Sequence, residues 1–103
     1  MPKQKKEIPI EWDINERERF KELIKDIKKR SENLARRVKD KVKENLNFVK
    51  QNPEIFEADI LKTDNDLTYR KFTALHIRVV YKIDSDKIII VRIRHSSSEP
   101  AEY

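Results

Sequence analysis

"HIRVVYKIDSDKIIIVRIRH", residues 76–95, decides the fold of this chain, because it holds two apolar runs separated by a short polar break. In 77–83 apolar residues recur with a period of two, which is typical of a β-strand with one buried face. The run 87–94 is rich in isoleucine and valine, and "DSD" at 84–86 supplies turn-forming residues. We therefore predict an antiparallel hairpin, with "YRKFTAL" at 69–75 as a third strand.

This alternation assigns side chains to the two faces of the sheet. One set in each hairpin strand is predicted to face the helices: Ile77, Val79, Tyr81 and Ile83, then Ile89, Val91 and Ile93. The opposite set brings three guanidinium groups to the open face: Arg78, Arg92 and Arg94. Arg70, with Phe72 beside it, is expected on the same open face.

The first half of the chain has the spacing of two helices. "IPIEWD" at 8–13 alternates and suits a short edge strand, which can contain a proline. Apolar residues then recur at helical spacing over 14–30, with Asp13 or Asn15 as the N-cap. The pattern breaks briefly at "SEN" and resumes until Pro53. The sequence thus predicts an α+β fold in one domain, 1–103: an N-terminal strand, an αα-hairpin and a mainly antiparallel three-stranded sheet, with flexible ends at 1–6 and 97–103. A further short strand is expected near Ile60.

Composition excludes several classes of site. The 103 residues contain no cysteine and no glycine. Disulfides, thiolate metal sites and glycine-rich phosphate loops are therefore excluded, and we predict no metal and no cofactor. No stretch reaches the roughly 18 apolar residues of a membrane span, so we expect a cytoplasmic protein without a membrane partner. The net charge is +5, and 69–94 alone holds seven cations against two acids.

Arginines alternating with isoleucines on a strand have two interpretations. Such a row is often simply a solvated sheet face. Because guanidinium groups bind phosphates and stack on bases, the same row also suits nucleic-acid contact. His95 at the strand end is either an ordinary surface residue or a proton donor and acceptor near neutral pH. Tyr103, the last residue, is either disordered or folded back on this face.

Several segments together resemble the RelE/ParE superfamily of toxins from bacterial type II toxin-antitoxin pairs. They are the tail "RIRHSSSEPAEY" at 92–103, the strand "IRVVYKID" at 77–84, "TYRKF" at 68–72 and "NPEIF" at 52–56. Their order along the chain matches the family, in which a strand and a helical hairpin precede the sheet. RelE-like members cleave mRNA in the ribosomal A site, whereas ParE-like members bind DNA gyrase and block it.

The resemblance implies a site on the last strands. Our preferred hypothesis is a RelE-like, ribosome-dependent mRNA endonuclease that needs no metal. Its catalytic residues would be Arg78, Arg94, His95 and Tyr103. Its RNA-binding residues would be Arg70, Lys71, Lys82 and Arg92. Glu54 or Glu57 is an alternative general base.

Two alternatives and a set of partners complete the expectations. The alternative hypotheses are a ParE-like gyrase inhibitor without catalytic activity and an inactive copy that only binds its antitoxin. The inactive copy is considered because relatives commonly read "R-H-T-S-R-E-P" in the tail, and Ser98 stands where they have the last arginine. The resemblance implies a cognate acidic antitoxin on the helical hairpin, and ribosome and mRNA, or gyrase, as targets.

Overall fold

The computed structural model describes residues 7–98 and 102–103, and it has the predicted α+β order of elements. Two helices follow a short first strand and precede three longer strands and a 3-10 turn. The elements are β1 (Ile10–Trp12), α1 (Ile14–Arg30), α2 (Glu32–Gln51), β2 (Tyr69–Ala74), β3 (Ile77–Asp84), β4 (Lys87–His95) and η1 (Ser96–Ser98). Of the ends predicted to be flexible, 1–6 and 97–103, residues 1–6 and 99–101 lie outside the described residues.

The sheet has four strands in the order β1-β4-β3-β2. The pairs β2–β3 and β3–β4 are antiparallel, as predicted. β1 joins the same sheet as a parallel neighbour of β4, with Glu11 opposite Ile89. The sheet is therefore mixed and has one strand more than the three that the sequence predicts. The two helices between β1 and β4 supply the crossover that a parallel pair requires.

Side-chain caps place the helix ends. The Asp13 carboxylate accepts hydrogen bonds from the backbone N–H groups of Asn15 and Glu16, so Asp13 is the N-cap of α1. A single extended residue, Ser31, separates the helices, and its hydroxyl accepts from the N–H of Leu34. α2 ends at Gln51, two residues before Pro53. The predicted αα-hairpin is confirmed, with a link shorter than expected.

The core lies between α2 and one face of the sheet. Its buried residues recur along one stripe of α2: Val38, Val42, Leu46 and Val49. Across from them lie Phe72, Val79, Tyr81 and Ile90. The apolar residues of α1 are only partly buried against this cluster. α2 is therefore the central helix of the fold, and α1 covers the sheet near β4.

A β-bulge in β4 changes which isoleucines are buried. Val80 pairs with Arg92, but Tyr81 pairs with Ile90, so Val91 is an extra residue in β4. As a result Ile88 and Ile90 are fully buried with Ile93. The prediction that Ile89 and Val91 face the helices is wrong, because simple alternation assumes an unbroken ladder.

The loop after α2 closes against the outer edge of β2. Ala58 forms an isolated bridge with Arg70, and the Asp59 N–H donates to the carbonyl of Tyr69. This bridge stands where a further short strand was expected near Ile60. The Asn65 side-chain amide also donates to the carbonyls of Asp59 and Tyr69, at 3.1 and 2.9 Å. The loop is thus held in place beside the sheet face that carries Arg78.

Candidate functional site

The sheet face opposite the helices is not open around Arg78. Arg78 is 7% exposed and its neighbour Val80 is fully buried. Side chains from the loop and from the chain end cover them. We name this group the Tyr103 cluster, and its members are Asp59, Lys62, Arg78, Arg92 and Tyr103. The expectation of an open face is wrong here, because periodicity cannot show that a distant loop folds over a strand.

Asp59 is the buried centre of the Tyr103 cluster. Its side chain is inaccessible to solvent and forms an ion pair with the guanidinium of Arg78. The same carboxylate oxygen accepts from the Leu61 N–H at 3.1 Å. The other amino group of Arg78, Nη1, is buried and has no hydrogen-bond partner within the described residues. One end of this guanidinium is therefore neutralised and the other is unsatisfied.

Tyr103 is anchored on the same carboxylate. Its phenol donates a hydrogen bond to the second oxygen of Asp59. Its backbone N–H donates to the Leu61 carbonyl at 2.9 Å, and its carbonyl accepts from the Thr63 N–H. The guanidinium carbon of Arg92 lies 4.6 Å from the centre of the ring, within cation–π distance. The last residue of the chain thus lies directly over the guanidinium site.

Burial raises the pKa of the Tyr103 phenol well above its usual range, and the bond to the ionised Asp59 raises it further. Burial also raises the pKa of Tyr81 to about 12. Tyr81 donates its hydroxyl to the Pro53 carbonyl at 2.7 Å, inside the core. Both phenols therefore hold their protons more tightly in the folded chain than in an unfolded one.

We expect the Tyr103 phenol to ionise at a higher pH in the folded chain than in the same chain unfolded in urea. In urea a tyrosine ionises at about pH 10. The folded state keeps the proton, so the stability from this group is complete below that pH and decreases as the pH rises. The measurement is the phenolate absorbance of the native chain minus that of Tyr103→Phe. If this absorbance difference rises at the same pH in the folded protein as in urea, the hydrogen bond from Tyr103 to Asp59 is absent.

His95 lies on the other side of the sheet from Arg78. It pairs opposite Ile77, a core residue, whereas Arg78 pairs opposite Arg94. The ring of His95 stacks on His76 with centroids 6.0 Å apart, and its Nδ1 lies 2.7 Å from the Ser97 hydroxyl oxygen. These residues border a cavity of about 450 Å³ whose other wall is formed by the helices. The structure therefore does not bring His95 together with Arg78.

Arg94 pairs opposite Arg78 on the same face of the sheet, and its side chain turns to the edge of β4 that β1 leaves uncovered. Glu16, from the first turn of α1, accepts from the Ile93 N–H at 2.9 Å and from Arg94 Nη1 at 2.5 Å. Glu16 is buried, and its carboxylate takes the position that a neighbouring strand would otherwise fill. Arg94 thus serves to hold α1 against β4.

The other basic candidates are divided between the two faces of the sheet. Arg70 pairs opposite the buried Tyr81 and donates to the Phe56 carbonyl at 2.9 Å. Phe72 is 4% exposed in the core, so the expectation of Arg70 and Phe72 on the open face is wrong. β2 presents Arg70 and Phe72 to the side of the sheet that faces the helices, opposite to the side assumed from its alternation. Arg70 instead ties the loop to β2.

Lys71 and Lys82 have local partners. Lys71 Nζ lies 2.7 Å from Glu57, and this hydrogen bond lowers the pKa of the Glu57 carboxyl. The Glu57 side chain is exposed, and its lowered pKa keeps the carboxylate ionised at neutral pH. Lys82 Nζ lies 5.6 Å from the ring of Tyr69, which Lys62 also contacts at 4.8 Å. Lys82 thus lies beside Lys62, a member of the Tyr103 cluster, and extends the positive charge of that cluster along the sheet.

Sequence reasoning missed Asp59. Its segment, "IFEADILK" at 55–62, reads only as a weak strand or loop. The available signal was one acid between apolar residues, which suggests burial with a partner but does not name that partner. In the structure this acid joins the loop, β3 and the chain end.

A second concave surface lies between β1 and the helices. This groove of about 490 Å³ has an apolar floor that includes Trp12 and Phe20, whose rings stack 5.5 Å apart. Its rim carries three lysines and one acid: Lys39, Lys43, Lys50 and Asp40. It is therefore an apolar groove with a mainly positive rim.

A family model described as the ParE toxin of the type II toxin-antitoxin system, parDE, matches residues 10–100. No curated protein matches the sequence. Within 7–98 and 102–103, no three histidine or acidic side chains are grouped so that they could hold a metal ion. No helix in that part of the chain is long and apolar enough to cross a membrane.

Proposed function

The chain belongs to the ParE toxin family of type II toxin-antitoxin systems, and we propose that it acts by binding and inhibiting DNA gyrase, with no chemistry of its own. As a toxin of such a pair it has an antitoxin partner. The observation that carries the proposal is the separation of Arg78 from His95, on opposite sides of the sheet. Gyrase is cytoplasmic, so we propose that location for the toxin.

Metal-free RNA cleavage needs phosphate-binding and proton-transferring groups within hydrogen-bond reach of one phosphate. Arg78 is instead paired with Asp59 and almost buried. Arg94 is paired with Glu16, and His95 borders a cavity beside the helices. Arg78 and Arg94 are therefore each paired with an acid on one face of the sheet, and His95 lies on the other face. This arrangement favours a toxin that acts by binding over one that cleaves.

The test is a supercoiling assay with purified gyrase, the native chain and His95→Ala. We expect inhibition by both proteins to the same extent, because an inhibitor that only binds has no use for a proton donor at His95. Ribosomes programmed with mRNA, assayed in parallel, should yield no new 5′ ends. If gyrase is unaffected and the mRNA is cut, the gyrase proposal fails.

One observation favours mRNA cleavage as a second candidate. Arg78, Arg92 and Tyr103 do lie together. Arg92 contacts the ring of Tyr103, and the Asp59 carboxylate accepts hydrogen bonds from both Arg78 and the Tyr103 phenol. Tyr103 carries its proton at neutral pH, as a group that protonates a leaving group must, although its raised pKa makes it a weak acid. On this reading ribosome-dependent cuts would be lost in Tyr103→Phe and kept in His95→Ala. A chain that inhibits neither target but binds its antitoxin would be the inactive copy that Ser98 suggests.

We propose that the antitoxin presents an acidic, partly apolar segment to the groove beside the helical hairpin. The groove combines an apolar floor with the rim lysines Lys39, Lys43 and Lys50. The whole chain carries a net charge of +5, which accelerates association with an acidic partner. Apolar contact and charge thus favour the same kind of segment.

A further inference from the structure

We propose that the groove between β1 and the helical hairpin binds single-stranded nucleic acid, with bases stacked on its aromatic floor and phosphates held by its rim lysines. The aromatic floor residues are Trp12 and Phe20, and the rim lysines are Lys39, Lys43 and Lys50. This binding goes beyond gyrase inhibition and does not rest on it. The antitoxin segment proposed for the same groove would compete with the nucleic acid for these lysines.

The first observation is a row of unpaired cations along α2. Lys39, Lys43 and Lys50 recur at intervals of four and seven positions, so they form one stripe of the helix. Within the described part of the chain, no acid forms an ion pair with any of them. Lys39 and Lys50 are eleven positions apart, about 16 Å along the helix, which matches roughly five nucleotides of a stacked strand. The rim holds one acid, Asp40, so its net charge is positive.

The second observation is the pair of aromatic rings beside this row. Trp12 and Phe20 stack with centroids 5.5 Å apart and planes inclined by 28°. Both side chains are only partly buried, and both line the groove. Single-strand binding proteins combine aromatic rings with a row of cations, because every base has a flat face that stacks on a ring. An acidic peptide would neutralise the lysines, but the stacked rings favour a ligand that carries bases as well as charge.

The third observation is the shape of the groove. Its volume is about 490 Å³, and its floor lies between a strand and a helix. Sites of roughly 300–1,000 Å³ take small ligands, so this one has room for a few bases but not for a double helix. The bases of a duplex are paired and stacked on each other, whereas those of a single strand can turn out onto protein rings. The groove is therefore suited to a single strand.

The experiment follows the fluorescence of Trp12, the single tryptophan of the sequence, while a short oligothymidylate is added to the full chain. Stacking of a base on the indole quenches this fluorescence, so saturable quenching reports a ligand inside the groove. Titrations at several salt concentrations then count the phosphate contacts. Each contact adds about −0.7 to the slope of log K against log salt for a single strand, so three lysines predict a slope of about −2.

Two matched variants of α2 assign the phosphate contacts. Lys43→Gln removes one rim lysine, so the slope should become shallower by about 0.7 and the affinity at low salt should fall. Lys41→Gln is the control, because Lys41 lies outside the groove and pairs with Glu44 at 3.6 Å. Its slope and affinity should equal those of the native chain. Both lysines are exposed, so neither change disturbs the core. Equal losses in the two variants would overturn the assigned stripe.

Two further ligands separate nucleic acid from peptide. A duplex of the same length presents phosphates without accessible bases, and polyglutamate presents negative charge without bases. We expect both to leave the Trp12 fluorescence nearly unchanged, while polyglutamate displaces the oligothymidylate because both bind the rim lysines. Absence of quenching by the oligothymidylate at low salt overturns the proposal. Tighter binding of polyglutamate with equal quenching also overturns it, and leaves an acidic peptide segment as the ligand of the groove.

Discussion

Asp59→Ala is expected to lower the free energy of unfolding by about 3–5 kcal/mol, because it leaves a buried guanidinium without its counter-ion. Asp59 is 1% exposed and Arg78 is 7% exposed, so water cannot replace the lost carboxylate without opening the loop. The same change removes the acceptors for the Leu61 N–H and the Tyr103 phenol. Urea unfolding followed by circular dichroism measures the loss.

The control is Glu57→Ala in the same loop. Glu57 pairs with Lys71 at 2.7 Å, but its side chain is 70% exposed, so solvent screens the pair and we expect a loss much smaller than that of Asp59→Ala. The double variant Asp59→Ala/Arg78→Met should recover part of the lost stability, since it removes both buried charges together. Similar losses for Asp59→Ala and Glu57→Ala would contradict a buried ion pair at Asp59.

Local sequence was sufficient for elements whose cause is local. The helical spacing of apolar residues predicts α1 and α2, and the "DSD" turn predicts the β3–β4 hairpin. The bounds of α1 follow from Asp13, whose side chain caps its first turn, and from Ser31, whose backbone N–H donates to the Ile27 carbonyl and whose hydroxyl caps the start of α2. In each case the decisive interaction joins residues at most four positions apart.

Long-range contacts explain what the sequence could not predict. The Asp59–Arg78 pair spans 19 positions and the Asp59–Tyr103 bond spans 44, and neither residue type reveals its partner. The parallel pairing of β1 with β4 likewise depends on how the helical hairpin packs, because a three-residue strand has too few side chains to specify a neighbour. The predicted catalytic set was assembled by position along β3 and β4. His95 separates from Arg78 and Arg94 because a strand presents neighbouring residues to opposite faces.

The bulge in β4 leads to the second large expected effect. Ile90→Ala should cost about 2–5 kcal/mol, because Ile90 is fully buried between β1 and β3 and its truncation leaves a cavity. An unbroken alternation would instead place Ile89 in the core and Ile90 outside it. The two registers thus make opposite predictions for neighbouring residues of the same type. Urea unfolding of the two alanine variants distinguishes them.

Ile89→Ala is the matched control, since it removes the same atoms from the adjacent position of the same strand. Both changes replace a β-branched isoleucine by alanine in the same strand, so the intrinsic loss of β-propensity is similar in the two variants. The difference between the two variants therefore isolates the burial of Ile90. A larger loss for Ile89→Ala would mean that β4 has no bulge at Val91. Without that bulge Ile89, Val91 and Ile93 would share the helix-facing side, and Ile90 would lie on the opposite face beside Arg92, where its truncation would leave no cavity in the core.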